Sequence, residues 1–539
     1  MRIVLRATGA LGALALLLVG DVAAQGVPIP PPPGRREITS IDISRDGAWR
    51  AKARKVREAR RAALARGDLQ LLNGPSNAMA VNGTYNLPII FIAYSDTTVT
   101  GATPVIGDTT NYRALFFSAT PQSEAIPRPY SVKTYYEQLS NNHITIVGDM
   151  YGWIKTSKSY AGVGQNCAAV FCANINIVRA NFGAMLREAL DSLNSPAPQV
   201  NWGQFDNDGP DGNPNSGDDD GFVDFVTFVH PTLGGECGGA AGGQLGNRIW
   251  AHRWTIQAVS GTVYVTQTPR TGGGFIRIND YTVQSARGGN SSCSPSGIMP
   301  IGTVAHETGH AFGLPDLYAT AGTSEGIGEW GVMGSGNYTL PYSPAAYDAW
   351  SLVTLGWVDV DTLTTSRTVT LNPVQTSDTV LVAPLNFTDQ YLLIENRAFL
   401  QSDTAQMAAS FSRRKLPGLL VWHIDQSIVD GGMASNTVNA GAIEGVRLIQ
   451  ADGQDNLHSG ANRGDLGDSY PGSSLNRKLT YHSAPGMLNN EGGVAGFVID
   501  SIQQVSITGP VVFRFRRSAP FRVTSSGIAA GGQVTVNGV

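Results

Sequence analysis

Residues Gly302 to Tyr318 read GTVAHETGHAFGLPDLY, and no other stretch limits the possible folds of this chain so tightly. It contains His306, Glu307 and His310 in the order H-E-x-x-H, then Gly313 and Asp316. Residues four apart share one face of an α-helix, so a helical segment points both imidazoles at a single ion. Imidazole nitrogen suits zinc, and a catalytic zinc site takes three protein ligands while a fourth position holds water. Glu307 stands beside the pair, where it can take a proton from that water. Gly313 lets the chain leave the helix, and Asp316 brings it back as the third ligand. A satisfied polar helix face is the bland alternative. With eight histidines in 539 residues, chance spacing explains the pattern poorly.

The surroundings of this helix read as an α/β domain. Asn86 to Tyr94 (NLPIIFIAY) is a continuous apolar run and predicts a buried strand. Ser131 to Asn141 predicts a helix, HITIVGDMYGWI an alternating strand, and Ile175 to Leu193 a long amphipathic helix with Ile177, Phe182, Met185, Leu186 and Leu190 inward. Phe222 to Val229 is a further apolar strand, so strands and helices alternate as in a mixed, twisted sheet. Asn279 to Ala286 is expected at a sheet edge, where a peptide substrate could add as a strand. Met333, in the turn GVMGSG, fits an apolar floor beneath the zinc, and Tyr347 to Trp357 closes the domain as an amphipathic helix. His230 and His252 are read as structural. Tyr338 or Tyr342 could steady an oxyanion.

The loop Phe205 to Asp224, FDNDGPDGNPNSGDDDGFVD, holds Asp206, Asp208, Asp220 and Asp224. With an insertion removed they follow the first nine positions of a calcium loop, although Thr227 stands where the closing Glu belongs. From Thr362 onward short alternating runs (RTVTLNPV, TVLVAPL, QYLLIENR, PGLLVWHID, GVRLIQAD, GFVIDSI, VVFRFR) predict an all-β, sandwich-like domain. A second acidic stretch offers Asp465 and Asp468, with Asp452 and Glu395 as companions; calcium and an ordinary Gly/Asp turn explain it equally well. Arg463-Gly464-Asp465 spells an adhesion tripeptide, which is too short to carry an argument.

The chain opens with Arg2 and Arg6 before an apolar run and small residues, a secretory signal peptide cleaved after Ala24. Its apolar core is too short to span a membrane comfortably. An exported protein can keep disulfides, and local pairing gives Cys167–Cys172 and Cys237–Cys293 out of three connectivities. Asp46 to Gly67 is basic and helix-prone; behind a signal peptide it reads as a removable pro-segment rather than a nucleic-acid patch. The 38 basic and 42 acidic residues balance, which argues against nucleic acid or an anionic membrane as main partner. The expected division is signal peptide 1–24, pro-segment 25–80, catalytic domain 81–360, β-sandwich 361–517, and a tail or incomplete module 518–539.

HETGHAFGLPDLY is similar to the metzincin pattern H-E-x-x-H-x-x-G-x-x-H/D, with Asp316 in the last place. GEWGVMGSG resembles a Met-turn, and IWAHRW, DAWSLVTLGW and PGLLVWHID are similar to segments of the immune inhibitor A (M6) family of secreted metallopeptidases. This resemblance covers about Leu87 to Phe515. It implies a zinc endopeptidase with a metzincin-like core and structural calcium: His306, His310 and Asp316 as ligands, Glu307 as base, Met333 as the turn. Asp in the third place departs from the commonest metzincins, which leaves Glu325 and Glu329 as rivals, although the Gly-rich sequence around both disfavours the helix they would need. The expected function is a secreted zinc endopeptidase made as a precursor, monomeric, acting on proteins or peptides, with no nucleic acid partner and no membrane insertion once the signal is removed. The alternative is a calcium-dependent surface or adhesion protein with a vestigial zinc site, which would have no use for Glu307.

Overall fold

The computed structural model describes residues 50–66, 80–97, 109–121, 128–164, 175–237, 249–288, 294–320, 322–385, 388–408 and 414–517. The expected signal peptide and tail lie outside them, as do Cys167, Cys172, Cys293 and the Cys237 side chain, and with these both expected disulfides. Among the described residues no helix is long and apolar enough to cross a membrane.

Strand β1 (Gly83–Ala93) is buried without interruption from Leu87 onward. A strand of that kind needs cover on both faces, which is the condition of a parallel sheet flanked by helices. Around it lie β2 (Ile144–Lys155), β3 (Val226–His230), β4 (His252–Thr255) and β5 (Asp280–Ser285), in the order β2-β1-β3-β5-β4. All neighbours are parallel except β4, which runs antiparallel to β5. The segment Asn279–Ala286 is therefore not at an edge: β5 pairs on both sides and all six of its residues are buried, while β4 takes the terminal place. The sequence DYTVQS is largely polar, and nothing in it distinguishes an edge from an inner place in the sheet.

Helices α1 (Arg50–Arg66), α2 (Thr110–Phe117), α3 (Val132–Leu139) and α4 (Ala184–Asn194) pack on this part of the molecule. Helix α3 starts at a capping box in which Ser131 and Thr134 satisfy each other's backbone N–H groups. Its buried Val132, Tyr135, Tyr136 and Leu139 follow the helical repeat, as do Met185, Leu186, Ala189, Leu190 and Leu193 of α4. Helix α1 uses two of its basic side chains, Arg50 and Arg60, internally. Ala53 and Val56 are buried in the core, and Arg50 reaches Asp280 through two hydrogen bonds of 2.7 and 3.1 Å. Arg253 shares that carboxylate, and Arg60 donates to the Val358 carbonyl at 3.1 Å.

The motif helix α5 (Gly302–Ala311) and α6 (Ala349–Leu355) precede the β-rich part. There β6 (Asp359–Thr362), β8 (Thr379–Pro384), β9 (Gln390–Arg397), β10 (Gly418–Asp425) and β11 (Val446–Leu448) form one sheet in that order. Strands β7 (Arg367–Leu371), β12 (Phe497–Gln504) and β13 (Val511–Arg517) form a second, ordered β7-β13-β12. Helix α7 (Gln426–Met433) connects β10 toward β11.

Alternation along the larger sheet divides its side chains between two cores. Leu381, Ala383, Leu392, Ile394, Leu419 and Val421 pack with Val511, Phe513 and Phe515 of the smaller sheet. Val380, Val382, Leu393, Leu420, Trp422 and Ile424 join the core that also holds β1, β3 and α5. The sandwich therefore turns its other face onto the α/β part, and one apolar core spans both. Truncating the fully buried Trp422 to Ala should cost about 3–5 kcal/mol. A single calorimetric transition shifted down as a whole is the expected result; a second transition left at its native temperature would contradict the shared core.

Candidate active site

Every residue of α5 is buried, and its two inner glycines explain how it fits. A Cβ on Gly302 would lie 2.2 Å from the Asn337 carbonyl oxygen, and one on Gly309 would lie 2.5 Å from Met333 Sδ and 2.8 Å from the Tyr347 hydroxyl. Met333 thus sits directly against the helix at Gly309. Gly313, at φ +87°, ends the helix in a Schellman turn, with its N–H donating to the His310 carbonyl and that of Leu314 to the Gly309 carbonyl. This reversal brings Asp316 back over the helix face. Leu317 N–H then bonds the Met333 carbonyl at 2.9 Å, tying the returning strand to the methionine turn.

The three side chains converge. Asp316 Oδ1 lies 3.0 Å from His306 Nε2 and 3.5 Å from His310 Nε2, and the ligand atoms of all three lie within 4.8 Å of one another. Each histidine uses its other nitrogen on a carbonyl: His306 Nδ1 on Val332 and His310 Nδ1 on Leu314, both at 2.7 Å. A carbonyl only accepts, so both Nδ1 atoms donate, and in the neutral imidazoles the Nε2 atoms, which face the centre, are the ones with a free lone pair. That is the donor set zinc takes, and the residues fit the metal. Without it, burial pulls the His306 imidazole down, but the Asp316 hydrogen bond and charge outweigh burial and lift it to about 9. Burial opposes the Asp316 charge, yet the two imidazoles hold that carboxyl well below its ordinary value. Glu307 is raised by burial against the pull of both histidines.

The rival glutamates are engaged elsewhere. Glu329 pairs with Lys415 at 2.8 Å, both fully buried, and Glu325 with Arg463 at 3.1 Å. Tyr338 is pushed well above the usual phenol range, first by burial and then by the charges of Glu236 and Glu307. His230 and His252 are buried and held neutral by desolvation, and His252 bonds Trp250 and Tyr281. Sequence reading missed Asn436, 120 residues downstream of Asp316, which accepts the Asp316 N–H at 2.8 Å and donates to Asp316 Oδ2 at 2.6 Å. Its stretch, ASNTVNAG, carries only turn chemistry and signals no partner.

Three of the four expected calcium ligands meet. Asp206, Asp208 and Asp220 bring carboxylate oxygens within 4.8 Å of one another, at a turn where Gly221 takes φ +79°. Neither Asp206 oxygen has a hydrogen-bond partner among the described residues. Burial and then the neighbouring carboxylates push Asp206 up to about 8 and Asp208 up to about 7. Asp224 stands apart, accepting the Asn207 N–H at 3.2 Å. Asp218 and Asp219 are spent on the loop's own N–H groups. In the second acidic stretch, Asp468 accepts from Trp330 Nε1 at 2.6 Å and from Gln450, Asp465 from Asn456 and Asn462, and Glu395 from Arg397 and Trp422. Those carboxylates have protein donors and form no cation cluster among the described residues.

Gly309→Ala tests the floor of the site. The new methyl must displace Met333 or Tyr347, and overpacking of this kind costs about 1–3 kcal/mol. Thermal denaturation should show the loss, and Gly309→Ala combined with Met333→Ala should recover part of it; additive losses would mean the two residues do not touch.

The comparisons with known proteins fall on this same region. Residues 107–351 match the family described as immune inhibitor A peptidase M6, catalytic domain. The pre-pro-metalloprotease PrtV of Vibrio cholerae serotype O1 (strain M66-2) is 31% identical over 232 residues, which is 41% of this chain and 23% of that protein. Immune inhibitor A of Bacillus thuringiensis subsp. alesti is 31% identical over 214 residues, 38% of this chain and 28% of that protein. The chain thus spans about a quarter of the length of these curated relatives. Residues 107–351, which contain the converging His306, His310 and Asp316, are the part of the chain that is similar to the M6 peptidase family of immune inhibitor A.

Proposed function

We propose that the protein is an exported, zinc-dependent endopeptidase that hydrolyses peptide bonds of proteins and is made as a precursor. The observation that carries this reading is the convergence of two imidazole Nε2 atoms and one carboxylate beside a buried glutamate. His306, His310 and Asp316 would hold the zinc, which when bound would supply a Lewis acid to acidify water and polarise a carbonyl. Glu307 takes the proton of the attacking water and delivers it to the departing amine. Burial makes Glu307 more basic than an exposed carboxylate, which suits that exchange. Tyr338, whose phenol feels the Glu307 charge, or Tyr342 is the tyrosine proposed to donate to the oxyanion. The metzincin-like character rests on Met333 beneath the helix and on the turn that returns Asp316.

A hard cation, calcium by its ligand chemistry, is proposed at Asp206, Asp208 and Asp220. Export and a pro-segment over residues 25–80 follow from the leader-like N-terminal sequence, and the "pre-pro" in the name of PrtV is in keeping with both. The Arg463-Gly464-Asp465 tripeptide adds nothing to the adhesion alternative, because Arg463 is paired with Glu325 and Asp465 with Asn456 and Asn462. A tripeptide bound inward in this way is not presented to a receptor.

Glu307→Gln should retain stoichiometric zinc and lose about a hundred- to ten-thousand-fold in casein hydrolysis. Full activity in that variant would sink the assignment of the base. For the acidic loop, calcium at a hundred times its dissociation constant should stabilise the protein by about 2.7 kcal/mol. Asp206→Asn should abolish most of this calcium-dependent rise in melting temperature, and an undiminished rise would remove Asp206 from the site.

A further inference from the structure

We propose that Asn436 is a positioning residue for the third zinc ligand, so that the β-rich part of the chain completes the metal centre. The proposal rests on the reading of His306, His310 and Asp316 as zinc ligands. Asn436 follows α7, in the connection from β10 to β11, and its one carboxamide grips Asp316 at two points. Its Oδ1 accepts the Asp316 backbone N–H at 2.8 Å, and its Nδ2 donates to Asp316 Oδ2 at 2.6 Å. The other carboxylate oxygen, Oδ1, is the one directed at both histidines. Asn436 is buried and held at φ +56°, a left-handed conformation that Asn tolerates better than most residues.

The connection is anchored on the same short segment by a second asparagine. Asn439 Nδ2 donates to the Leu317 carbonyl at 2.9 Å and to the Val446 carbonyl at 2.8 Å, while its Oδ1 accepts the Val446 N–H at 3.0 Å. Asn439 thus ties the loop to β11 and to the residue after the ligand, without touching the Asp316 carboxylate.

Two consequences follow for the metal. An aspartate side chain is short and can rotate to offer one oxygen or two. A donor fixed on Oδ2 holds the carboxylate so that Oδ1 alone faces the histidines. The same hydrogen bond draws charge from the carboxylate, offsetting part of the negative charge that Asp brings in place of a neutral imidazole. Losing an outer partner of a metal ligand weakens the metal by about 10- to 100-fold.

The test uses the full chain and the metal itself. Asn436→Gly removes the carboxamide while keeping a backbone that accepts positive φ, and Asn436→Asp keeps the volume but sets a carboxyl against the Asp316 carboxylate. Asn439→Ala loosens the loop without removing either bond to Asp316, and Asp316→Ala removes the ligand. For each, zinc affinity is measured by competition with a chromophoric chelator, and the visible absorption of the cobalt(II)-substituted protein is recorded beside the melting temperature. Asn436→Gly should bind zinc about 10- to 100-fold more weakly with an altered cobalt spectrum, and Asn436→Asp should also alter the spectrum. Asn439→Ala should lower the melting temperature while keeping the native spectrum. Native zinc affinity and a native spectrum in Asn436→Gly, or a native spectrum in Asn436→Asp should the glycine variant not fold, would overturn the proposal while Asp316→Ala still loses zinc. Unchanged zinc affinity in Asp316→Ala would instead overturn the ligand reading beneath it.

Discussion

A carboxylate shared between two imidazoles inside a buried pocket is the interaction around which this molecule is arranged. Charges in such a place are tolerated only when each has a fixed partner. The partners are drawn from the whole chain: the Val332 carbonyl for His306, the Leu314 carbonyl for His310, and the Asn436 carboxamide for Asp316. Gly309 permits Met333 to pack against the helix, and Gly313 permits the reversal. Met333 O in turn holds the strand that carries Asp316. Each constraint is local in space, yet together they reach across more than a hundred residues of sequence.

What could be read beforehand was whatever depends on short spacing. The i, i+4 pair, the Gly after the helix, the returning Asp and the helical repeat of Met185 to Leu190 are properties of one turn or a few, and they appear as expected. Between Asp316, Glu325 and Glu329 the local sequence offered only its Gly-rich surroundings as an argument; the ion pairs of Glu329 with Lys415 and of Glu325 with Arg463 depend on distant residues. Asn436 gave no sign for the same reason. The misplaced edge strand has a different cause: β5 looks the same from its own residues at an edge or one place inward, and only β4, turning back antiparallel, sets its rank. In the acidic loop the D-x-D spacing with a later Asp-Gly was informative, while Asp224 was included on rhythm alone.

The change from helical to alternating sequence near residue 360 is a change of secondary structure, and it is not matched by a break in packing. Strands β8, β9 and β10 send every second side chain toward the α/β part and the others toward β7, β12 and β13. The buried Lys415–Glu329 pair and the Trp330–Asp468 hydrogen bond cross the same seam beside the methionine turn. A boundary drawn from composition therefore passes through the middle of a core. This also explains why a site built on α5 can borrow a residue from beyond β10.

Helix α1 has a consequence of another kind. It buries Ala53 and Val56, shares Asp280 with Arg253 through Arg50, and caps the segment near Val358. Cleavage between α1 and β1 would turn this helix from part of the chain into a bound peptide. From then on its contribution would follow mass action: dilution would release it, and the free peptide added back would restore it. Asp280 would keep one arginine where it had two. Maturation at that point would be a binding equilibrium set by the cut, with the strength of a buried ion pair deciding how long the severed helix stays.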